Sequence, residues 1–233
     1  MNNLQPDFKY KVLVLGDHLS GKTNLISVLK CNSFFETEAL RGTGAIDFVN
    51  YDNQLIVNSK KINLKMQLFD FYSRASRPFP LQCQYYRGTD GILLTYDVTN
   101  FDSFNNIHNW ISWIREKLFN VVIILVGCKS DLDSSRKVLY EEGERLATQY
   151  NIPFFETSAK LRKNIKEPFN HLSKLIYEQK SSNSPNLDSQ NQQKSTITKS
   201  NNNKKTNSIW NYFRYWRYIF LIIIIFIIFQ KNR

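Results

Sequence analysis

Residues Gly16-Asp17-His18-Leu19-Ser20-Gly21-Lys22-Thr23 fit the pattern G-x-x-x-x-G-K-[ST], and no other stretch of this chain restricts its fold as strongly. The pattern has meaning only in context: a strand must run into it and a helix must leave it. Both are present. Phe8–Leu15 reads as a buried strand and Lys22–Lys30 as a helix. Backbone N–H groups of such a loop and of the helix N-terminus converge, and can hold phosphate oxygens. Lys22 adds a point charge at the outer phosphates, and the Thr23 hydroxyl can ligate Mg²⁺. The loop alone does not separate adenine from guanine.

The chain beyond it continues to alternate strand and helix patterns. Leu55–Val57 and Ile62–Phe69 form a hairpin candidate turning at Asn58, Ser59 and Lys60, with Ile62, Leu64, Met66 and Leu68 in period two. Gly91–Asp97 and Val121–Gly127 are short apolar runs of the kind buried parallel strands show. Ser103–Leu118 and Tyr140–Tyr150 have helical spacing. Pro153–Glu156 is a last short strand, and Asn164–Glu178 a closing helix in which Pro168 is tolerable only in the first turn. This order predicts an α/β fold, a parallel sheet with helices on both faces. A chain of 233 residues holds one such domain and an appendage. The expected boundaries are a domain over 1–180, a polar Asn/Ser/Gln/Lys-rich linker over 181–208, and an aromatic then aliphatic segment over 209–233.

A second segment carries chemistry. Cys128-Lys129-Ser130-Asp131 follows the strand Val121–Gly127, at the carboxyl end of the sheet where ligands bind in folds of this kind. A carboxylate there accepts two hydrogen bonds from the N1 and N2 donors of guanine, whereas adenine would leave it unsatisfied. Glu156-Thr157-Ser158-Ala159-Lys160, after the last strand, can close over the other edge of the base.

Together these residues resemble the small GTPases of the Ras superfamily, the Rab branch most closely, over roughly residues 8 to 178. Tyr85-Tyr86-Arg87-Gly88, Leu94-Thr95-Tyr96-Asp97-Val98-Thr99 and Gly44-Ala45-Ile46-Asp47-Phe48 are similar to Rab signatures. The resemblance implies a P-loop NTPase G domain with a six-stranded, mostly parallel sheet. It implies bound GTP or GDP with Mg²⁺, and switch loops read by effector and exchange-factor proteins. By the same resemblance the phosphate site comprises Gly16, Asp17, His18, Leu19, Ser20, Gly21, Lys22, Thr23, Asn24 and Thr43. The guanine site comprises Cys128, Lys129, Asp131, Ser158, Ala159 and Lys160, and the metal site Thr23, Thr43 and Asp70.

The sequence also departs from that pattern. The family's second switch begins Asp-x-x-Gly-Gln, and here Asp70 is followed by Phe71-Tyr72-Ser73-Arg74-Ala75. The missing glycine brings an amide to the γ-phosphate; the missing glutamine orients the attacking water. No residue is therefore named catalytic. His18 and Leu19 stand where small residues are usual, and crowd the same space. Cys128 replaces the base-contacting asparagine with a poor hydrogen-bonding group, a loss on the order of 1–3 kcal/mol. The expectation is a membrane-anchored switch in vesicle traffic that binds guanine nucleotide and hydrolyses it slowly. The alternative is a pseudo-GTPase, an interaction scaffold without turnover.

Charge and cysteine usage concern location. The net charge is +11; Ser181–Arg233 holds eight Lys or Arg against Asp188 alone, or +7, which leaves +4 for the first 180 residues. The basicity lies beside the apolar run, so it points to a membrane surface and not to nucleic acid. Cys31, Cys83 and Cys128 are odd in number and widely spaced, which suits a reducing cytosolic compartment. Tyr218–Phe229 is apolar or aromatic throughout, and Ile209–Phe229 as a helix would span ~31 Å against a hydrocarbon core of about 30 Å. Arg214 and Arg217 can snorkel, and Trp210, Tyr212, Tyr215 and Trp216 suit an interface belt. No cysteine follows Cys128, so prenylation is closed to this sequence. The expected location is the cytosolic face of an endomembrane, with residues 209–229 as the anchor.

Overall fold

The computed structural model describes residues 5–35, 46–57, 59–71 and 83–183. Thr43, Ser73, Arg74, Ala75, Asn58 and the whole of 184–233, including the expected linker and anchor, lie outside them. The described residues fall within Met1–Pro185, the first of two units into which the chain divides.

Six strands form a single sheet in the order β2-β3-β1-β4-β5-β6. They are β1 (Phe8–Gly16), β2 (Ile46–Val57), β3 (Lys60–Phe71), β4 (Gly91–Asp97), β5 (Val122–Cys128) and β6 (Phe154–Thr157). β2 and β3 pair antiparallel, and every other neighbouring pair is parallel. The helices are α1 (Lys22–Cys31), α2 (Cys83–Tyr86), α3 (Phe101–Asn105), α4 (Ile107–Lys117), α5 (Tyr140–Tyr150) and α6 (Glu167–Asn183).

Side-chain alternation along β1 sorts the core into two layers. Val12 and Val14 face one way, into a cluster with Leu25 of α1, Met66 of β3 and Phe169 and Leu172 of α6. Leu13 and Leu15 face the other way, toward Ile107, Trp110 and Ile114 of α4 and Leu146 of α5. With both faces covered, the central strands are apolar at nearly every position, and all seven residues of β4 are buried.

Three elements differ from their sequence reading. β2 begins at Ile46, nine residues before the expected Leu55. Val49, Tyr51, Leu55 and Val57 do alternate toward the core, but Asn53 stands in the same row. Its amide donates to the Ser173 hydroxyl of α6 at 2.8 Å, so a polar residue in a core-facing position hides the period. Second, the helix expected over Ser103–Leu118 is two helices broken at Asn106. α3 starts on Asn100, whose side chain accepts from the N–H groups of Asp102 and Ser103. Third, α6 starts at Glu167 and not Asn164, with Pro168 in its first turn as that residue requires.

One glycine sits inside α5. A Cβ on Gly143 would lie 2.4 Å from the Tyr96 hydroxyl oxygen and 2.5 Å from Cζ of Phe154. Both rings are held, stacked on each other at 6.5 Å. Alanine in a helix interior is ordinarily about 1 kcal/mol better than glycine. Overpacking a filled site costs about 1–3 kcal/mol. The second effect wins here, and we expect Gly143→Ala to destabilise the protein by about 1–2 kcal/mol in denaturation of the full chain, a gain in stability being the contrary result.

Candidate functional site

The carboxyl ends of β1, β4, β5 and β6 line up in register, and the loops leaving them meet. β1 ends at Gly16 beside Thr95 of β4; Asp97 of β4 pairs with Cys128 of β5, and Cys128 with Thr157 of β6. The phosphate-loop segment, Cys128–Asp131 and Glu156–Lys160 therefore open on one edge of the sheet, whereas Tyr85–Gly88 lies before β4, at its other end.

The loop between β1 and α1 is set by backbone conformations. Gly16 has φ +140°, and a Cβ on it would lie 2.2 Å from the Thr95 carbonyl oxygen. Gly21 has φ +100°, and its Cβ would lie 2.8 Å from Cβ of Cys128. Both motif glycines are thus required by close approach as well as by dihedral angle. Leu19 is left-handed too, at φ 62°, a conformation about 1–2 kcal/mol unfavourable for an L-residue with a side chain. Its side chain is exposed, and that of His18 half-buried. The Ser20 and Thr95 hydroxyls share a hydrogen bond at 2.7 Å that ties the loop to β4.

Lys22 opens α1 and is only 6% exposed. Its ammonium donates to the carbonyls of Gly16 at 3.0 Å and Asp17 at 2.5 Å. Burial pushes its pKa down to about 8, against the opposing pull of Asp70, Cys128 and Asp17. A cation held this way is a strong partner for an anion that reaches the loop. Next to it, the Thr23 hydroxyl donates to Asp70 Oδ2 at 2.5 Å, joining α1 to the end of β3. Hydroxyl and carboxylate oxygens are hard donors of the type Mg²⁺ takes, so this pair fits that ion. Thr43, the third expected ligand, lies outside the described residues. Asn24 turns elsewhere: its amide exchanges two hydrogen bonds, each 2.9 Å, with the backbone of Phe35.

At the other end of the edge, Asp131 is partly exposed and its Oδ1 accepts from the Ser158 hydroxyl at 2.6 Å. Ser158 is fully buried and is held by reciprocal backbone bonds with Lys163. Ala159 and Lys160 continue this turn, with Lys160 exposed. Lys129 takes a left-handed conformation, φ 65°, and pairs with Asp97 Oδ2 at 2.6 Å. The Asp97 carboxylate is fixed in turn by the backbone and hydroxyl of Thr99. Glu156, expected near the base, is tied away from it in a bidentate pair with Arg136, at 2.7 and 3.0 Å. Cys128 is buried between Gly21 and Thr157, whose hydroxyl lies 3.8 Å from its sulfur. Burial pushes the thiol up to about 12, so it is protonated at neutral pH and unreactive there.

The sequence assigns no site role to four contributors: Thr95, quoted only within a Rab-like signature, and Arg136, Asn106 and Trp110. The last two reach the loop from α4. Asn106 Nδ2 donates to Asp17 Oδ2 at 2.6 Å and Trp110 Nε1 to Asp17 Oδ1 at 2.8 Å. Their only sequence signal is the i, i+4 spacing of two hydrogen-bonding side chains on a helix whose inner face is otherwise apolar.

Among the described residues, no cluster of three or more His, Cys, Asp or Glu could hold a metal ion, and no helix is long and apolar enough to cross a membrane. The family described as "Ras family" matches residues 11–178. Ras-related protein Rab-13 of Mesocricetus auratus is 39% identical over 171 residues, 73% of this chain and 81% of that protein. Ras-related protein Rab-3 of Caenorhabditis elegans is 36% identical over 171 residues, 73% of this chain and 75% of that protein. Ras-related protein Rab-37 of Homo sapiens is 37% identical over the same length, 73% of this chain and 74% of that protein.

Proposed function

The chain belongs to the Ras family, with Rab proteins among its relatives, and on that premise we propose that it is a guanine-nucleotide switch held on the cytosolic face of an endomembrane. The observation that supports this most is one continuous edge. It carries a buried ammonium at Lys22, a Thr23–Asp70 oxygen pair, and Asp131 pinned by Ser158.

In this reading the loop from Gly16 to Thr23 binds the phosphates, with Asn24 fixing the chain just beyond α1. Lys22 meets the charge of the outer phosphates. Thr23, Asp70 and Thr43 hold Mg²⁺, which when bound neutralises charge on the β- and γ-phosphates. Asp131 accepts from the guanine N1 and N2 groups. Ser158 orients that carboxylate, and the Ala159–Lys160 turn covers the base. Lys129 contributes by fixing the loop through Asp97. Cys128 fills space behind Gly21 and offers the base no amide. Binding is therefore weaker than an asparagine would allow, but still selective. We expect calorimetry on the full chain in detergent to give guanosine triphosphate at least tenfold tighter binding than adenosine triphosphate; equal affinities would refute the assignment of Asp131.

Hydrolysis is proposed to be slow. Arg74 occupies the glutamine position, and a guanidinium has no acceptor for a proton of an attacking water. Ser73 replaces the glycine. The side chains of His18 and Leu19 stand where a partner's arginine would enter. These same substitutions favour the second reading, a scaffold that binds nucleotide without turning it over. Single-turnover measurement with labelled nucleotide is expected to show a rate at least tenfold below the slow intrinsic rates of this class, about 10⁻⁴ s⁻¹, and an ordinary rate would defeat the slow-hydrolysis proposal.

Residues 209–229 are proposed as the membrane anchor, joined to the domain by the polar segment before them. The apolar run contributes roughly 4–7 kcal/mol on the insertion scale, against about 3 for one centrally placed arginine. Partners are effector and exchange-factor proteins at the switch segments. Carbonate extraction of membranes carrying the full chain should leave it in the pellet, and release to the supernatant would dispose of the anchor.

A further inference from the structure

Asp17 presents a difficulty that the nucleotide reading does not resolve. It places a carboxylate inside the loop proposed to hold phosphates, and it is only 4% exposed. A buried carboxylate needs hydrogen bonds, and one facing phosphate would repel it. Both of its oxygens are directed to α4 instead. Asn106 Nδ2 holds Oδ2 at 2.6 Å, and Trp110 Nε1 holds Oδ1 at 2.8 Å. The backbone carbonyl of the same residue accepts the Lys22 ammonium at 2.5 Å and the Ser20 N–H at 3.2 Å. Asp17 therefore joins two sets of contacts: its side chain is fixed by α4, and its main chain fixes the lysine.

The break between α3 and α4 serves this contact. Asn106 stands at the N-cap of α4 but makes no side-chain cap there; its amide is committed to Asp17. One turn on, the backbone N–H of Trp110 closes on the Asn106 carbonyl at 3.1 Å, which puts both side-chain donors on one face of the helix. Trp110 is 2% exposed, so its ring is fixed by the core while its N–H points at the loop.

We infer that Trp110, with Asn106, is a positioning residue for the phosphate loop: it holds the Asp17 carboxylate away from the phosphates and thereby sets where the Asp17 carbonyl and Lys22 stand. This rests on the proposed nucleotide binding at that loop. The role is separable from packing by the cycle itself: Trp110→Phe keeps a buried aromatic ring but removes the N–H together with part of the indole, and only the effect of the lost N–H depends on Asp17 being present.

The test is a double-mutant cycle on the full chain in detergent, read as dissociation of a fluorescent guanosine diphosphate. Trp110→Phe is expected to speed release about tenfold, as losing a hydrogen bond to a charged group should. Asn106→Ala, at the half-buried end of the contact, is expected to speed it severalfold and guards against a Trp110 variant that fails to fold. In an Asp17→Ala background, Trp110→Phe is expected to add less than twofold, because its partner is gone. Release within twofold of the wild type in both single variants overturns the inference, as does a full tenfold effect of Trp110→Phe that persists without Asp17. A wild-type protein that retains no nucleotide overturns the inference and the binding reading together; a wild type that binds while the cycle fails overturns the inference alone.

Discussion

A single ammonium group, kept almost out of water at the start of α1, is the constraint around which this domain is arranged. Lys22 Nζ is satisfied by carbonyls of the loop that precedes it, and burial draws its pKa down toward 8. A charge in that position is expensive to hold, and the loop that wraps it must be stiff. Gly16 packs against the Thr95 carbonyl, Gly21 against Cys128, and the Ser20 hydroxyl against that of Thr95. None of these contacts survives unless β1 lies between β3 and β4, with β5 beyond. The order of the sheet is in that sense a requirement of the lysine.

The same edge divides its work between two kinds of contact. Carboxylates that can face a ligand, at Asp70 and Asp131, each accept a hydrogen bond from a neutral hydroxyl, of Thr23 and Ser158. Carboxylates that brace the frame are held by cations or by paired N–H groups: Asp97 by Lys129, Glu156 by Arg136, Asp17 by Asn106 and Trp110. A hydroxyl fixes orientation without neutralising the charge, while a cation or a pair of N–H donors offsets it more strongly. Glu156 and Ser158, two residues apart, serve opposite sides of this division: Glu156 is braced by Arg136, and Ser158 orients Asp131.

The parts legible in the sequence are those whose contacts are local. The glycine loop, the lysine and the strand-helix order announced themselves because strand, turn and helix start lie within a few residues of one another. Asp131 and Ser158 were recognised separately, each within its own motif. Asn106 and Trp110 are not legible in this way, because their partner lies 89 and 93 residues earlier. β2 reads short in the sequence because Asn53 occupies a core-facing position and finds Ser173 across 120 residues. A polar side chain satisfied by a distant one leaves no periodic trace.

The sequence distances in these contacts also order events in time. Thr23 meets Asp70 over 47 residues, Ser20 meets Thr95 over 75, and Ser158 closes on Asp131 only when the sixth strand is in place. Chains emerge from the ribosome amino end first, and non-local pairings form only after both partners have been made. Half a domain therefore has no half-formed pocket. The edge can be completed only after Ser158 and the Lys163 backbone that holds it have been made, and Ile209 follows Lys163 by 46 positions.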